Sequence, residues 1–423
     1  MNSIQQLLRT GKRPASMSPA RERRLMWLLF IGAHVFYTVL SAMHGHMPYG
    51  DVTVVYREWI TDALAGNARG ITEPFVYPVA ALIPMWIAHL LGGEAFFVLG
   101  WMAQVLALNS LALWWLTTRR GRFTELYRRA GWWWTAFLWL LGPIAFGRID
   151  AITVPIALVA LLRLRRGVFT SSFWLTIGAW IKVWPAALVA AVFTTCNRRL
   201  RVAAGGIAAC AVVLIPVLFV AGRNGIINAF SFVAGQHERG LQLESVFASA
   251  FLLGKSLGIP GYKVEYSREI LTQEVFGPGV DAVGALLTPL MFVLLVTLLI
   301  LAVRRVRSGA RIAQTLPVLA LGIVLSFIIA NKVGSPQFIS WLAPIIVLGL
   351  VWWGRGMGRI ARLGLIVAAL TQFIYPWGYG YVVRAELIGA LMLAARNALL
   401  VWMLVIVVRE LLRPPARVPS AVD

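Results

Sequence analysis

Apolar runs recur along nearly the whole chain, broken by short polar stretches. They cover residues 25–43, 75–91, 96–117, 132–146, 151–162, 173–195, 202–221, 282–303, 316–330, 338–353, 363–375 and 387–408. A helix needs about 20 apolar residues to cross the hydrocarbon of a bilayer. Most of these runs approach that length, so the pattern predicts an all-α polytopic integral membrane protein. Residues 151–162 and 363–375 are short for a span and call for tilt or for helix beyond these bounds. Residues 1–24 are polar and basic and no small-x-small site follows the first run, so that run is expected to be a retained helix and not a cleaved signal. The expected organisation is a basic segment over 1–24, one transmembrane domain over 25–408 with outer loops at about 44–74 and 222–281, and a tail over 409–423.

Composition supports this reading. Of 423 residues 59% are hydrophobic and 13% charged, about half the charge of a soluble domain. The net charge of +22 would suggest nucleic acid in a soluble protein. Here the arginines sit in short clusters between apolar runs, such as Arg119/Arg120/Arg122, Arg163/Arg165/Arg166, Arg198/Arg199/Arg201 and Arg304/Arg305/Arg307. That is the positive-inside pattern beside anionic lipid, and no nucleic-acid partner is expected. Both termini and these clusters are assigned to the cytoplasm. The other face receives residues 44–74, 147–150, 222–281, 331–337 and 378–386, which hold most of the 17 acids. Cys196 and Cys210 flank an arginine cluster, so no disulfide is expected.

The crossing count does not close everywhere. Between Pro74 and Arg119 an odd number of crossings is needed, yet there are two apolar runs; between Arg166 and Arg198 an even number is needed, yet there is one. Either residues 75–91 dip in and return, or residues 173–195 break at Lys182–Pro185. Such breaks are tolerated at membrane depth when they line a cavity enclosed by protein. The runs give about 11 to 13 crossings.

Candidate chemistry lies in the outer segments. The first outer loop reads His44-Gly-His-Met-Pro-Tyr-Gly-Asp51-Val-Thr-Val-Val-Tyr56-Arg57-Glu58-Trp59. A carboxylate where a membrane-anchored substrate meets water can act as a general base; a helix cap or a solvated loop acid is the plainer role for Asp51. Tyr56 and Trp59 share a helical face and suit an interfacial aromatic anchor. His44 and His46 lack the further ligands that zinc needs. Phosphate loops and Asp-x-Asp motifs are missing, so neither a metal nor a cofactor is expected. Two of the five lysines interrupt apolar surroundings: Lys182 in Gly178-Ala-Trp-Ile-Lys182-Val-Trp-Pro185, and Lys332 in Ala330-Asn-Lys332-Val-Gly-Ser-Pro-Gln-Phe338. An ammonium in a span costs a few kcal/mol unless it pairs or lines a hydrated cavity, and a lipid-linked phosphate is a suitable partner; snorkelling to the interface is the alternative. Arg148 and Asp150 form a further edge pair that either contacts the phosphate or neutralises itself at a tight turn. Residues 235–244, with His237 and Arg239, form a polar loop suited to covering a site or holding an acceptor sugar, or to plain solvation. Most of the 18 tryptophans lie near span ends, as in 132–134 and 352–353, where interfacial anchoring is expected. Trp180, Trp184 and Trp341 accompany the lysine motifs and can stack on a sugar or an isoprenoid, or pack in the core.

Four features, in order, carry a resemblance: Gly50-Asp51 beyond the first span, Tyr77-Pro78 at the start of the next run, Ile181-Lys182-Val-Trp-Pro185, and Ser335-Pro336-Gln337-Phe338-Ile-Ser-Trp341-Leu-Ala-Pro344. Together the chain resembles the polyprenol-phosphate-dependent glycosyltransferases of the GT-C class, most closely the actinobacterial mannosyltransferases of glycosyltransferase family 87. The resemblance implies a GT-C helical bundle and an inverting, metal-independent transfer of a sugar, typically mannose, from a polyprenyl-phosphate donor to an envelope glycolipid or glycan on the extracytoplasmic face of the plasma membrane. Asp51 matches the position of the catalytic base. Lys182, Lys332 and Arg148 are the candidate phosphate contacts, and Tyr56, Gln337, Trp341, His237 and Arg239 the candidate substrate contacts. A flippase of a lipid-linked sugar would use the same cations without a base, and a structural subunit of an envelope-building complex would need neither.

Overall fold

The computed structural model describes residues 18–43, 48–117, 124–236, 240–267 and 272–414. It is all-α in character and 78% helical. Among the described residues seven stretches are long and apolar enough to cross a membrane: Pro19–Ser41, Phe97–Thr117, Arg199–Val233, Val280–Arg307, Ile312–Ile329, Pro336–Trp377 and Leu387–Leu412. The chain is a multi-pass membrane protein on that ground.

The helices follow the apolar runs closely. They are α1 (Pro19–Met43), α2 (Tyr56–Leu64), α3 (Leu82–Gly92), α4 (Phe97–Thr117), α5 (Glu125–Leu141), α6 (Asp150–Arg163), α7 (Val168–Ile181), α8 (Ala186–Thr195), α9 (Arg199–Ala229), α10 (Ala248–Ser256), α11 (Val280–Arg307), α12 (Ile312–Ile329), α13 (Leu342–Trp353), α14 (Gly358–Gln372), α15 (Tyr379–Val383) and α16 (Leu387–Leu412). Burial sorts them. In α12 78% of the apolar window lies inside the protein, against 17% in α11 and 22% in the stretch containing α9. Helices α12 and α13 therefore form the centre of the bundle, and α9 and α11 face outward, where apolar side chains meet lipid.

Both irregular regions of the crossing count have a structural cause. Residues 75–91 are helical only from Val79 onward, and α3 is about 16 Å long at 1.5 Å per residue. It packs antiparallel on α4: Gln104 Nε2 donates to the Pro84 carbonyl at 2.7 Å, and a Cβ at Gly100 would collide with the Ala88 carbonyl. The turn between them lies beside α2, since Arg57 pairs with Glu94 at 3.1 Å. The non-helical approach to α3 has its backbone satisfied from elsewhere in the chain. Asn228 Nδ2 donates to the Ile71 carbonyl at 3.0 Å, and the Phe75 N–H donates to Ser231 Oγ at 2.7 Å, as irregular backbone among apolar helices requires.

The second irregularity is a helical hairpin. Lys182 is extended (φ −151°, ψ 130°) and Pro185 has no N–H to continue α7, so the run splits into α7 and α8. Ser172 Oγ donates to the Val202 carbonyl and Trp180 Nε1 approaches Cys210 Sγ, so α7 and α9 run parallel and α8 is the return between them. Both alternatives read from the sequence are thus present together. Helix α9 bends where Gly222 takes φ +58°, which brings Phe230 back to 5.3 Å from Trp180.

The arginine clusters between the apolar runs gather at one end of the bundle. Arg128 holds Glu22 at 3.0 Å, Arg163 and Arg166 lie over Trp115, and Arg165 lies over Trp352. Arg305 donates to the carbonyls of Glu410 and Arg413, capping the C-terminus of α16. At the other end the segment before α11 carries an antiparallel hairpin absent from the all-α expectation, β1 (Lys263–Ser267) with β2 (Thr272–Phe276). Residues 241–243 extend it through Leu243 N–H to the Gln273 carbonyl and Val275 N–H to the Leu241 carbonyl. Two five-residue strands carry too short an alternation to stand out within a polar loop.

Two aromatic expectations are corrected. Tyr56 is fully buried and Trp59 packs on Phe75 and Tyr77, so this pair is a core element and not an interfacial anchor. Trp133 and Trp134 are also buried, because α5 lies against α13 and α14 instead of lipid.

Candidate functional site

Asp51 opens a wide π-type turn, Asp51–Val55, that leads into α2. The turn brings Tyr56 beneath the carboxylate: its hydroxyl lies 3.4 Å from Asp51 Oδ2 and accepts the Ile149 N–H at 3.0 Å. Burial raises the Tyr56 phenol well above its ordinary range, so it stays a neutral donor. Arg148 Nη1 forms an ion pair with Asp51 Oδ1 and Arg148 Nη2 donates to the Tyr375 hydroxyl at 3.1 Å. Burial alone would weaken the Arg148 charge, but Asp51, Tyr375 and Tyr56 together outweigh it and hold the guanidinium above its usual value. The Asp51 side chain keeps 26% of its surface exposed, enough to meet a substrate.

This corrects one reading. Arg148 and Asp150 do not neutralise each other at a tight turn; Arg148 turns to Asp51 instead. Asp150 begins α6 and is buried, with Oδ1 accepting Trp341 Nε1 at 2.5 Å and Oδ2 without a partner among the described residues. Lys182 is near enough to act on Asp150 electrostatically, and its Nζ sits 4.0 Å above the Tyr77 ring. Trp341 stacks on Trp184 at 5.7 Å and on Phe338 at 4.2 Å, and Trp184 Nε1 donates to Thr153 Oγ1 at 3.0 Å. Acids and cations therefore alternate around one centre, which lowers the cost of holding four charged groups at the edge of an apolar bundle.

The other candidates fall apart from this centre or beside it. Lys332 has its carbonyl bonded by the Gln242 N–H and its Cε close to Gly284. Gln337 is buried, its side-chain oxygen without a partner among the described residues. His237 and Arg239 lie outside the described residues, as do His44 and His46. Among the described residues no group of three or more His, Cys, Asp or Glu is gathered to hold a metal.

A second polar cluster adjoins the first. Tyr375 packs edge-on against Tyr379 at 5.2 Å, and the Tyr379 hydroxyl donates to Glu244 Oε1 at 2.6 Å. Arg396 Nη2 donates to the Glu244 carbonyl at 2.8 Å, and Asn397 Nδ2 to the Ser245 carbonyl at 3.1 Å. Burial raises the Glu244 carboxyl above its ordinary value. Glu244 ends the polar loop 235–244, which the sequence marks as suited to covering a site or holding an acceptor sugar; its partners are new, although Arg396-Asn397 interrupts the apolar run 387–408 and an ionisable group there is a functional signal. The aromatic string Tyr375-Pro-Trp-Gly-Tyr379 at a run's end was the other available sign. An apolar groove of about 520 Å³ is lined by Thr176, Ala186, Phe193, Val202, Gly206 and Leu299; it includes none of these charged groups.

The fold and site together define a multi-pass membrane protein with a half-open, charge-alternating centre floored by tryptophan, at the end of the bundle opposite the arginine clusters. No protein-family model matches the chain, and no curated protein matches it.

Proposed function

We propose that this protein is a membrane glycosyltransferase of the GT-C type that moves a mannosyl residue from polyprenyl-phosphate-mannose to a glycolipid or glycan acceptor of the cell envelope, at the extracytoplasmic face. The observation that carries this reading is convergence. Asp51, Tyr77, Lys182 and Trp341 belong to the four separate motifs of the resemblance, and all four meet around the single turn Arg148–Asp150, through the Asp51–Arg148 pair, Asp150 with Trp341, and Lys182 over Tyr77 beside Asp150.

In the proposed reaction the acceptor hydroxyl attacks the anomeric carbon while the bond from that carbon to the phosphate oxygen breaks. The polyprenyl phosphate leaves with the electron pair, the hydroxyl proton passes to Asp51, and the anomeric configuration inverts. Arg148 and Lys182 supply positive charge for the leaving phosphate. Arg148 also holds Asp51 in place. Lys332, beside the second cluster, has the weaker claim to phosphate contact.

The test is turnover of polyprenyl-phosphate-mannose by the reconstituted protein. Asp51→Asn is expected to stay folded in the membrane and to lose about 10²–10⁴-fold in rate, the usual weight of a general base. Near-normal turnover by this variant would remove Asp51 from the chemistry. Movement of labelled lipid across vesicles with no new glycosidic bond would replace transfer by flipping. Mass analysis of envelope glycolipids from a deletion strain, read for a precursor one sugar short, identifies acceptor and linkage together.

A further inference from the structure

The buried cluster around Glu244 holds more polar capacity than docking its loop requires. The loop is docked by backbone: Arg396 and Asn397 donate to the carbonyls of Glu244 and Ser245, and the chain at Gly334 lies so close to Glu244 and Ser245 that a Cβ there would collide with their backbone. The Glu244 side chain adds a single bond to this. It is 3% exposed, one oxygen accepts the Tyr379 hydroxyl, and the other, with the Gln242 side chain nearby, makes no hydrogen bond of normal geometry among the described residues. Arg396 Nε and Asn397 Oδ1, both in buried residues, are likewise without partners there. A buried polar group left unmatched is costly. Three in one cluster, from both donor and acceptor types, mark a place for a ligand bearing several hydroxyls.

The position fits that ligand. From the Asp51–Arg148 pair the path runs through the Tyr375 hydroxyl, across the Tyr375–Tyr379 ring contact, to the Glu244 carboxyl. Aromatic rings cover the C–H face of a pyranose, while carboxyl, amide and guanidinium groups match its hydroxyls, each able to accept or donate. We propose that Glu244, with Tyr375 and Tyr379, forms a subsite for the hydroxyls of a pyranose adjoining the Asp51–Arg148 centre. This inference rests on the glycosyltransferase reading and adds a sugar-recognition site to it. The sugar comes either from the donor or from the acceptor; the chemistry is shared.

The experiment uses the full chain in lipid nanodiscs and three probes: short-chain polyprenyl-phosphate-mannose, the same polyprenyl phosphate without sugar, and methyl α-D-mannopyranoside. Wild type is expected to bind the mannosylated lipid more tightly than the bare phosphate. Glu244→Gln keeps the size of the side chain and is expected to lose about tenfold in affinity, the factor that 1.4 kcal/mol represents, for the mannosylated lipid or for the free mannoside, with affinity for bare polyprenyl phosphate unchanged. Loss on the mannosylated lipid assigns the subsite to the donor sugar, and loss on the free mannoside alone assigns it to the acceptor. Tyr379→Phe, which removes the bond to Glu244 Oε1, is expected to give a smaller loss of the same selectivity, and it serves as the readout where Glu244→Gln fails to fold. Unchanged sugar affinity in both variants overturns the subsite while leaving the transferase reading intact, and so does equal loss on all three probes. A wild type that binds neither lipid overturns both.

Discussion

At the residue scale, the centre depends on partners that are distant in sequence. Asp150 is buried and one of its oxygens is satisfied by the indole of Trp341, 191 residues away. Trp341→Phe keeps the ring stack on Trp184 and Phe338 but removes that donor. A buried carboxylate losing the one side-chain hydrogen bond it has among the described residues costs about 1–3 kcal/mol, so the variant is expected to melt earlier than wild type in the same detergent. An unchanged melting temperature would show that Asp150 is held by Lys182 and not by the indole. The residue types of this centre are legible in the sequence alone: an acid past the first span, a lysine in an apolar run, a tryptophan in the Ser335–Pro344 motif. Their pairing is not legible there, because Arg148 has acids on both sides of it in space and only one in sequence. Glu244 is inconspicuous for the same reason: in sequence it ends a polar loop, and its burial comes from α16 and from the chain at Gly334.

At the element scale, two short hairpins bring the site together. The α3–α4 pair permits backbone contact because Gly100 lacks a side chain where the Ala88 carbonyl passes. A valine there must push the two helices apart, and overpacking of this kind costs about 1–3 kcal/mol or more. Since α3 follows Tyr77, the displacement also moves the ring beneath Lys182. Gly100→Val is therefore expected to lower both thermal stability and polyprenyl-phosphate binding, whereas Gly206→Val, on the apolar groove where only Thr176 approaches, is expected to lower neither by a comparable amount. Equal effects of the two would detach the α3–α4 contact from the site. The break at Lys182–Pro185 is legible as an interrupted run with a proline. That its two halves fold back as a hairpin follows from the even count needed between Arg166 and Arg198 only as one of two alternatives, since a kinked single span and a hairpin have the same hydropathy.

At the scale of the whole molecule, charge orders the bundle. The arginine contacts on Trp115, Trp352, Glu22 and the end of α16 collect at one end, and Asp51, Arg148, Asp150 and Lys182 collect at the other. The positive-inside rule predicts that the arginine end faces the cytoplasm. Single cysteines introduced at Glu94 and at Ser308, in a background where Cys196 and Cys210 are replaced by serine, test this in intact cells. The residue at 94 is expected to react with a membrane-impermeant thiol reagent and the residue at 308 only after lysis. The reverse pattern would turn the whole molecule over and put Asp51 on the cytoplasmic side.

The sequence by itself determined the membrane class, the approximate bounds of the long helices and the end to which the arginines belong. Those properties follow from apolar length and local charge, which are additive along a chain and need no tertiary partner. Tertiary structure alone decided which helices are central, how the two irregular runs close, and which cation serves which acid. Each of these depends on helices packing side by side, and packing joins residues such as Asp150 and Trp341 that no periodicity links. The same reason explains the two aromatic corrections: Tyr56 and Trp133 have the composition of interfacial anchors, and only the neighbours that cover them make them core.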